Sequence, residues 1–408
     1  MSSCQLRQAP SPAKVLPARK VSTRIEELDA LRGLALAGIL VVNIMAFASP
    51  YYGSGVIDPQ FADVWSQGAR WIIALLFETK FYLWFAFLFG YSFTLQTDSL
   101  ERSDRAVVQA LLRRMAGLLI IGILHGALLF QGDILTLYSL CGLVLICMRN
   151  VADRTALQTA GWLVAITAFL WAAVGMILLA VGEVTDATAV YAEVQEALAA
   201  WQGPVTSVLV RRLHEWTTSG LGLFLIQGPT SLAMFLLGMV AGRHHLLRRR
   251  AASELFWWKI VRQGIVIALP CAALYATSTV FAGGTGGEIL GLAFGLLTAP
   301  FLTGTFIFAS TSAMGSRWGR RIMDCLAPAG SMALSNYLLQ SAVCAWLFTG
   351  YGLGLMGKVS PLQAAALAVS IYLAQLALSI AWRNRFDQGP MEMVLRAITY
   401  LEWKVPKG

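Results

Sequence analysis

Charge is the first thing this sequence lacks. Only 13% of its 408 residues are charged, about half the share of an ordinary soluble domain. Histidine is scarce too, with four in the whole chain. The six cysteines (Cys4, Cys141, Cys147, Cys271, Cys325, Cys344) are scattered and include no CxxC pair. That spacing excludes a thiolate metal cluster and a disulfide framework, so no metal site is expected. No internal repeat shows at the level of residues. The one glycine-rich run, GGTGG at 283–287, is not followed by a phosphate-binding motif.

Apolar runs take the place of charge. Uncharged stretches of roughly 20 residues, the length that crosses a bilayer as a helix, occur at 157–181, 221–241, 264–282, 289–314 and 362–382. Ten apolar segments, those five among them, begin near Leu31, Trp71, Met115, Ile134, Leu157, Leu221, Gly264, Ile289, Ala329 and Leu362. Lipid offers no partner to an open amide, so all must be helical. The expected fold is an all-α polytopic membrane bundle of about ten helices. Pro229, Pro270 and Pro300 should kink or open their helices. GLAFG at 291–295 offers a small-residue face for close helix packing, and a homo-oligomer is separately left open.

Positive charge sets the orientation. With the amino terminus inside, the inner segments hold 25 of the 31 Lys and Arg residues, which places both termini in the cytoplasm. The net charge of +9 is then a topology signal, and nucleic acid is not an expected partner. RHHLLRRR at 243–250 would attract anionic lipid as any basic cytoplasmic loop does. The expected organisation is a basic disordered tail at 1–30, five helices over 31–181, an external amphipathic segment at 182–220, five helices over 221–382, and a cytoplasmic end at 383–408. The apolar run starts too late for a cleaved signal, so the first helix is expected to remain. The 182–220 segment reads as helices on the membrane face or capping a cavity.

The polar residues inside the spans carry the functional reading, since such groups need partners in lipid. They are Arg32 beside Asp29, Asn43, Glu78 and Lys80, and a stripe of Asn336, Tyr337, Gln340 and Ser341. Asn43, Glu78, His125 and Asn336 or Gln340 are expected to share one interior space. GILHGALLFQGDIL at 122–135 adds His125 and Asp133 across a corner between two spans. Asp133 is placed to cap the next helix. Because the chain reverses, it is also placed to bond His125, fix its tautomer and hold it as a base.

LDALRGLALAGILVVNI, FETKFYLWFAFLFGYSF, RRMAGLLIIGILHGALLFQGDILTLYSLCGL, GSMALSNYLLQS and WRNRFDQGPMEMVLRAITY together resemble the YeiB family of inner-membrane proteins, over nearly all the chain from about residue 24. Within GPMEMVLR several apolar positions depart from the family form, while Glu392 and Arg396 keep the spacing of a helical ion pair. The opening LDALRG…N pattern is similar to that of transmembrane acyltransferases, including lysosomal heparan-glucosaminide acetyltransferase and bacterial sugar O-acyltransferases. That likeness implies Asn43 as an active-site asparagine. It also implies a histidine in the loop after the first span, where this chain has SPYYGSG.

Two functions are compatible with these residues. One is acyl transfer from a cytoplasmic thioester to a hydroxyl or amine. His125 would be the base, Asp133 its orienting partner, and Asn43 or Asn336 the carbonyl donor. Arg113 and Arg114 would hold the phosphates of acyl-coenzyme A, a co-substrate and not a resident cofactor. Arg32, Glu78, Lys80, Asn336, Tyr337 and Gln340 would line the cavity. The other is proton-coupled transport of a small solute along the same residues. Either implies membrane lipids and a small-molecule, glycan or lipid acceptor as partners, in a bacterial inner membrane.

Overall fold

The computed structural model describes residues 23–103, 105–182, 186–247 and 254–402. The tail expected over 1–30 falls outside them as far as residue 22, as do three arginines of the 243–250 run and the last six residues. Among the described residues the protein is all-helical. Eight helical segments are long and apolar enough to cross a membrane, and two shorter apolar helices accompany them.

Several elements differ from the apolar runs. Helix α1 (Thr23–Ala48) is followed by a second crossing made of two pieces, α2 (Val64–Leu76) and α3 (Phe81–Arg102). The break holds Glu78 and Lys80. No proline or glycine announces it; Thr79 takes φ 64°, an uncommon conformation for a β-branched residue. Helices α4 (Val107–Leu128) and α5 (Leu135–Cys147) form the hairpin of the GILHGALLFQGDIL corner, and α6 (Asp153–Val181) follows.

The described part of the segment at 182–220 is helical and reaches an outer cavity, which Ala187 and Tyr191 help to line. Helix α7 (Ala187–Trp201) packs on outer loops, with Tyr191 and Gln195 bonded to Ile57 and Tyr51. Helix α8 (Val205–Arg243) merges the rest of that segment with the sixth crossing in one run of 39 residues, about 58 Å long. Next come α9 (Glu254–Gln263) and α10 (Leu269–Phe281), joined by a π-helical turn, Gly264–Ala268. Pro270 explains that turn: its ring clashes with the carbonyl four residues earlier, and a wider turn moves that carbonyl away.

The chain closes with α11 (Gly286–Ala313), α12 (Arg317–Ser331), α13 (Ala333–Phe348), α14 (Pro361–Arg383) and α15 (Pro390–Tyr400). The two sequence halves interleave, with α1 against α12, α3 against α8 and α6 against α11. Helix α1 is built into the centre, burying Ala30, Leu31, Leu36, Leu40 and Ile44. The GLAFG face is consumed internally: a Cβ on Gly291 would sit 1.8 Å from Ser278 Oγ on α10. The α3–α4 connection and the carboxyl-terminal end of the described chain meet on one face, where Arg105 pairs with Glu402; we call it the basic face.

Candidate functional site

The α4–α5 corner brings His125 and Asp133 into direct contact. Gly122 permits it: a Cβ there would lie 2.4 Å from the Thr136 amide, so a side chain would push α5 away. His125 Nδ1 is 2.7 Å from Asp133 Oδ1, and both side chains are fully buried. Asp133 also caps α5, accepting from the Leu135 amide at 3.1 Å and the Thr136 amide at 2.7 Å. A third residue completes the group: Ser341 Oγ of α13 lies 2.8 Å from His125 Nε2. Its polar stripe was visible in the sequence, but nothing there tied it to a histidine 216 residues away.

Tyr337, one turn before Ser341, packs its ring 4.9 Å from the imidazole. Its hydroxyl lies beside Asn43 and the Ile134 backbone, yet has hydrogen-bond geometry with neither. Phe130 meets the histidine ring edge-on at 6.3 Å and stacks on Phe47 at 4.7 Å.

A cavity of about 200 Å³ approaches this group from the basic face. Arg32, Ser92, Arg114 and Glu392 stand among its walls, with Ile39, Phe85, Leu118 and Leu135, and Ile134 and Tyr337 bound its inner part. Arg32, Ile39 and Asn43 fall on one face of α1, at steps of seven and four residues. Asn43, half-buried, lies one turn beyond the lining on that face, beside the Tyr337 hydroxyl. Arg32 bonds Asp29 and the Ser92 hydroxyl. Arg113, the other expected phosphate ligand, does not line the cavity; Arg114 does.

Glu392 does not form the helical ion pair expected with Arg396. Its carboxylate accepts from the Leu334 and Ser335 amides at 2.8 and 3.2 Å and from the Ser335 hydroxyl, capping α13, while Arg396 lies over the Tyr400 ring. Free amides at a helix start are the stronger partner for a buried carboxylate. Burial raises its pKa, and the Ser335 bonds oppose that shift.

The single shared space is corrected by the structure. Glu78 belongs to a second group, accepting from Arg70 at 2.5 Å, Tyr52 at 3.0 Å and Tyr275 at 2.8 Å. Lys80 turns back to the Ala74 carbonyl left open by the helix break. Above them lies an outer cavity of about 400 Å³ lined by Met45, Ala48, Tyr52, Asp58, Arg70 and Glu288 among others. Burial raises the Asp58 carboxyl above its usual range. On α1, Met45 stands about 200° from Asn43, so the helix separates the two groups.

Asn336 and Gln340 also turn away from His125. Asn336 donates to Ala329 and Ser379, and Gln340 donates to Gln375 of α14. An amide donor in an apolar bundle needs an acceptor, and Ser379 and Gln375 of the facing helix supply one to each side chain. Sequence reasoning also passed over Arg212. It is fully buried on α8, bonded to the Leu128 carbonyl at 2.5 Å and set over the Trp201 ring. It secures the end of the helix that carries His125.

Comparison with known proteins fits this architecture. Residues 241–402 match the family described as a protein of unknown function (DUF418). The chain is 30% identical over 400 residues to uncharacterized protein YxaH of Bacillus subtilis, covering 93% of this chain and 95% of that protein. It is 30% identical over 405 residues to uncharacterized protein YeiB of Escherichia coli, covering 91% and 95%. Identity at that level across whole chains places the protein in the YeiB family of membrane proteins, with the DUF418 region as its carboxyl-terminal part.

Proposed function

We propose that the protein is an acyltransferase of the bacterial inner membrane, taking an acyl group from cytoplasmic acyl-coenzyme A and delivering it to a hydroxyl or amine. One observation carries the reading. A cavity with Arg32 and Arg114 among its walls runs from the basic face to Tyr337, whose ring packs on a histidine oriented by a buried carboxylate. The positive-inside rule makes that face cytoplasmic, where acyl-coenzyme A is available.

The dimensions suit a thioester arm. Whole drug-sized ligands occupy roughly 300–1,000 Å³, so 200 Å³ suits the thioester end of the donor's arm and leaves the nucleotide at the surface. Guanidinium groups are suited to its phosphates. His125 then acts as the base, Asp133 keeps the proton on Nδ1, and Asn43 with the Tyr337 hydroxyl donates to the carbonyl oxygen. Solute transport has less support, because the two cavities lie against different faces of α1.

Binding of radiolabelled coenzyme A to the purified protein in nanodiscs tests the reading. Binding weakened about tenfold or more by Arg114→Ala is expected, since a charge-assisted bond contributes about 1.5–3 kcal/mol. No binding, or equal binding by both proteins, would contradict it.

A further inference from the structure

We infer that Ser341 is a nucleophile that carries the acyl group as a covalent ester between donor and acceptor; this rests on the transferase reading above. The tautomer decides the matter. A carboxylate only accepts, so His125 Nδ1 carries the proton and donates it to Asp133 Oδ1. To act as a base the ring must leave Nε2 unprotonated, and Nε2 then accepts from the Ser341 hydroxyl at 2.8 Å. A serine hydroxyl on an imidazole held by a buried carboxylate is the arrangement that activates serine on unrelated folds. Nε2 is already occupied, so an incoming acceptor hydroxyl cannot reach the base before Ser341 does.

Access runs along α13. Ala333, Leu334 and Tyr337 line the basic-face cavity, and Ser341 follows one turn further on the same stripe. The Tyr337 ring closes the way. Its hydroxyl touches Asn43 and the Ile134 backbone without well-formed hydrogen-bond geometry, so turning the ring aside breaks no strong bond. The same hydroxyl gains a partner when a carbonyl oxygen arrives beside Asn43.

The steps balance without any oxidant or reductant. Ser341 Oγ adds to the thioester carbonyl as its proton passes to Nε2. Collapse breaks the C–S bond, and the thiol leaves with that proton. The acceptor hydroxyl next gives its proton to Nε2 and attacks the ester, and the Ser341 oxygen recovers the proton on leaving. Donor and acceptor need never occupy the site together.

The test incubates the full-length protein in nanodiscs with acetyl- or palmitoyl-coenzyme A and no acceptor. Released thiol is measured, and peptides are mapped by mass spectrometry after an acid quench. One acyl ester on the peptide containing Ser341 is expected, absent from Ser341→Ala, with turnover lowered on the order of 10³-fold or more in that variant. Ser341→Cys, which preserves size and a donor, should carry the acyl group as a thioester cleaved by neutral hydroxylamine. Thiol release without an adduct, with wild-type turnover in Ser341→Ala, overturns the nucleophile and leaves the transferase reading intact. Neither release nor adduct from either thioester overturns both.

Discussion

Asp133 bonds His125 and caps α5 with the same carboxylate: Oδ1 meets both Nδ1 and the Leu135 amide, and Oδ2 meets the Thr136 amide. Capping and orienting are therefore not alternatives. They are separable by substitution. Asp133→Asn retains an oxygen for the cap, so its thermal midpoint should stay near wild type while thiol release falls by about 10²–10⁴-fold. Asp133→Ala should lose the cap as well, about 0.5–2 kcal/mol of stability. Full activity in Asp133→Asn would leave Asp133 as a cap alone.

Arg114 should act on the charged part of the donor. In Arg114→Ala the KM for acetyl-coenzyme A should rise about tenfold or more with kcat unchanged. Acetyl-pantetheine, which lacks the phosphates, should be turned over equally by both proteins. An equal loss on both donors would show that Arg114 supports the fold and does not hold phosphate.

Much of this architecture was legible beforehand. Lipid leaves few options, and apolar length with charge asymmetry marked the crossings. The His125–Asp133 contact could be read because eight residues and a reversal of the chain confine it. Ser341 could not be tied to them, since its partner comes from packing between distant helices. Glu78 and Lys80 misled for a related reason: the break at Thr79 has no glycine or proline to announce it, and Arg70, Tyr52 and Tyr275 converge only in the fold. Asn336 and Gln340 show that part of a polar stripe can serve helix packing while Tyr337 and Ser341 of the same stripe face His125.

That last distinction is measurable. Asn336→Leu should cost about 1–2 kcal/mol through lost bonds to α14 and the Ala329 carbonyl, lowering the thermal midpoint. Turnover of the folded fraction should be unchanged. Turnover lost with no change in stability would return Asn336 to the site.

The contact between α3 and α8 offers a test of the fold itself. A Cβ on Gly90 would lie 2.1 Å from the Phe235 carbonyl, and one on Gly238 would lie 2.1 Å from the Phe87 carbonyl. Backbone cannot yield as a flexible side chain can, so Gly90→Val should prevent accumulation of folded protein, read by fluorescence-detected size exclusion. A monodisperse, stable Gly90→Val protein would contradict the packing.

The most direct measurement is thiol release from acetyl- and palmitoyl-coenzyme A by sealed vesicles of both orientations, with wild-type and His125→Ala protein. Release is expected only where the basic face is outside, and it should fall about 10²–10⁴-fold in His125→Ala with insertion unchanged. No release in either orientation, or equal release by His125→Ala, would contradict acyl transfer at this site.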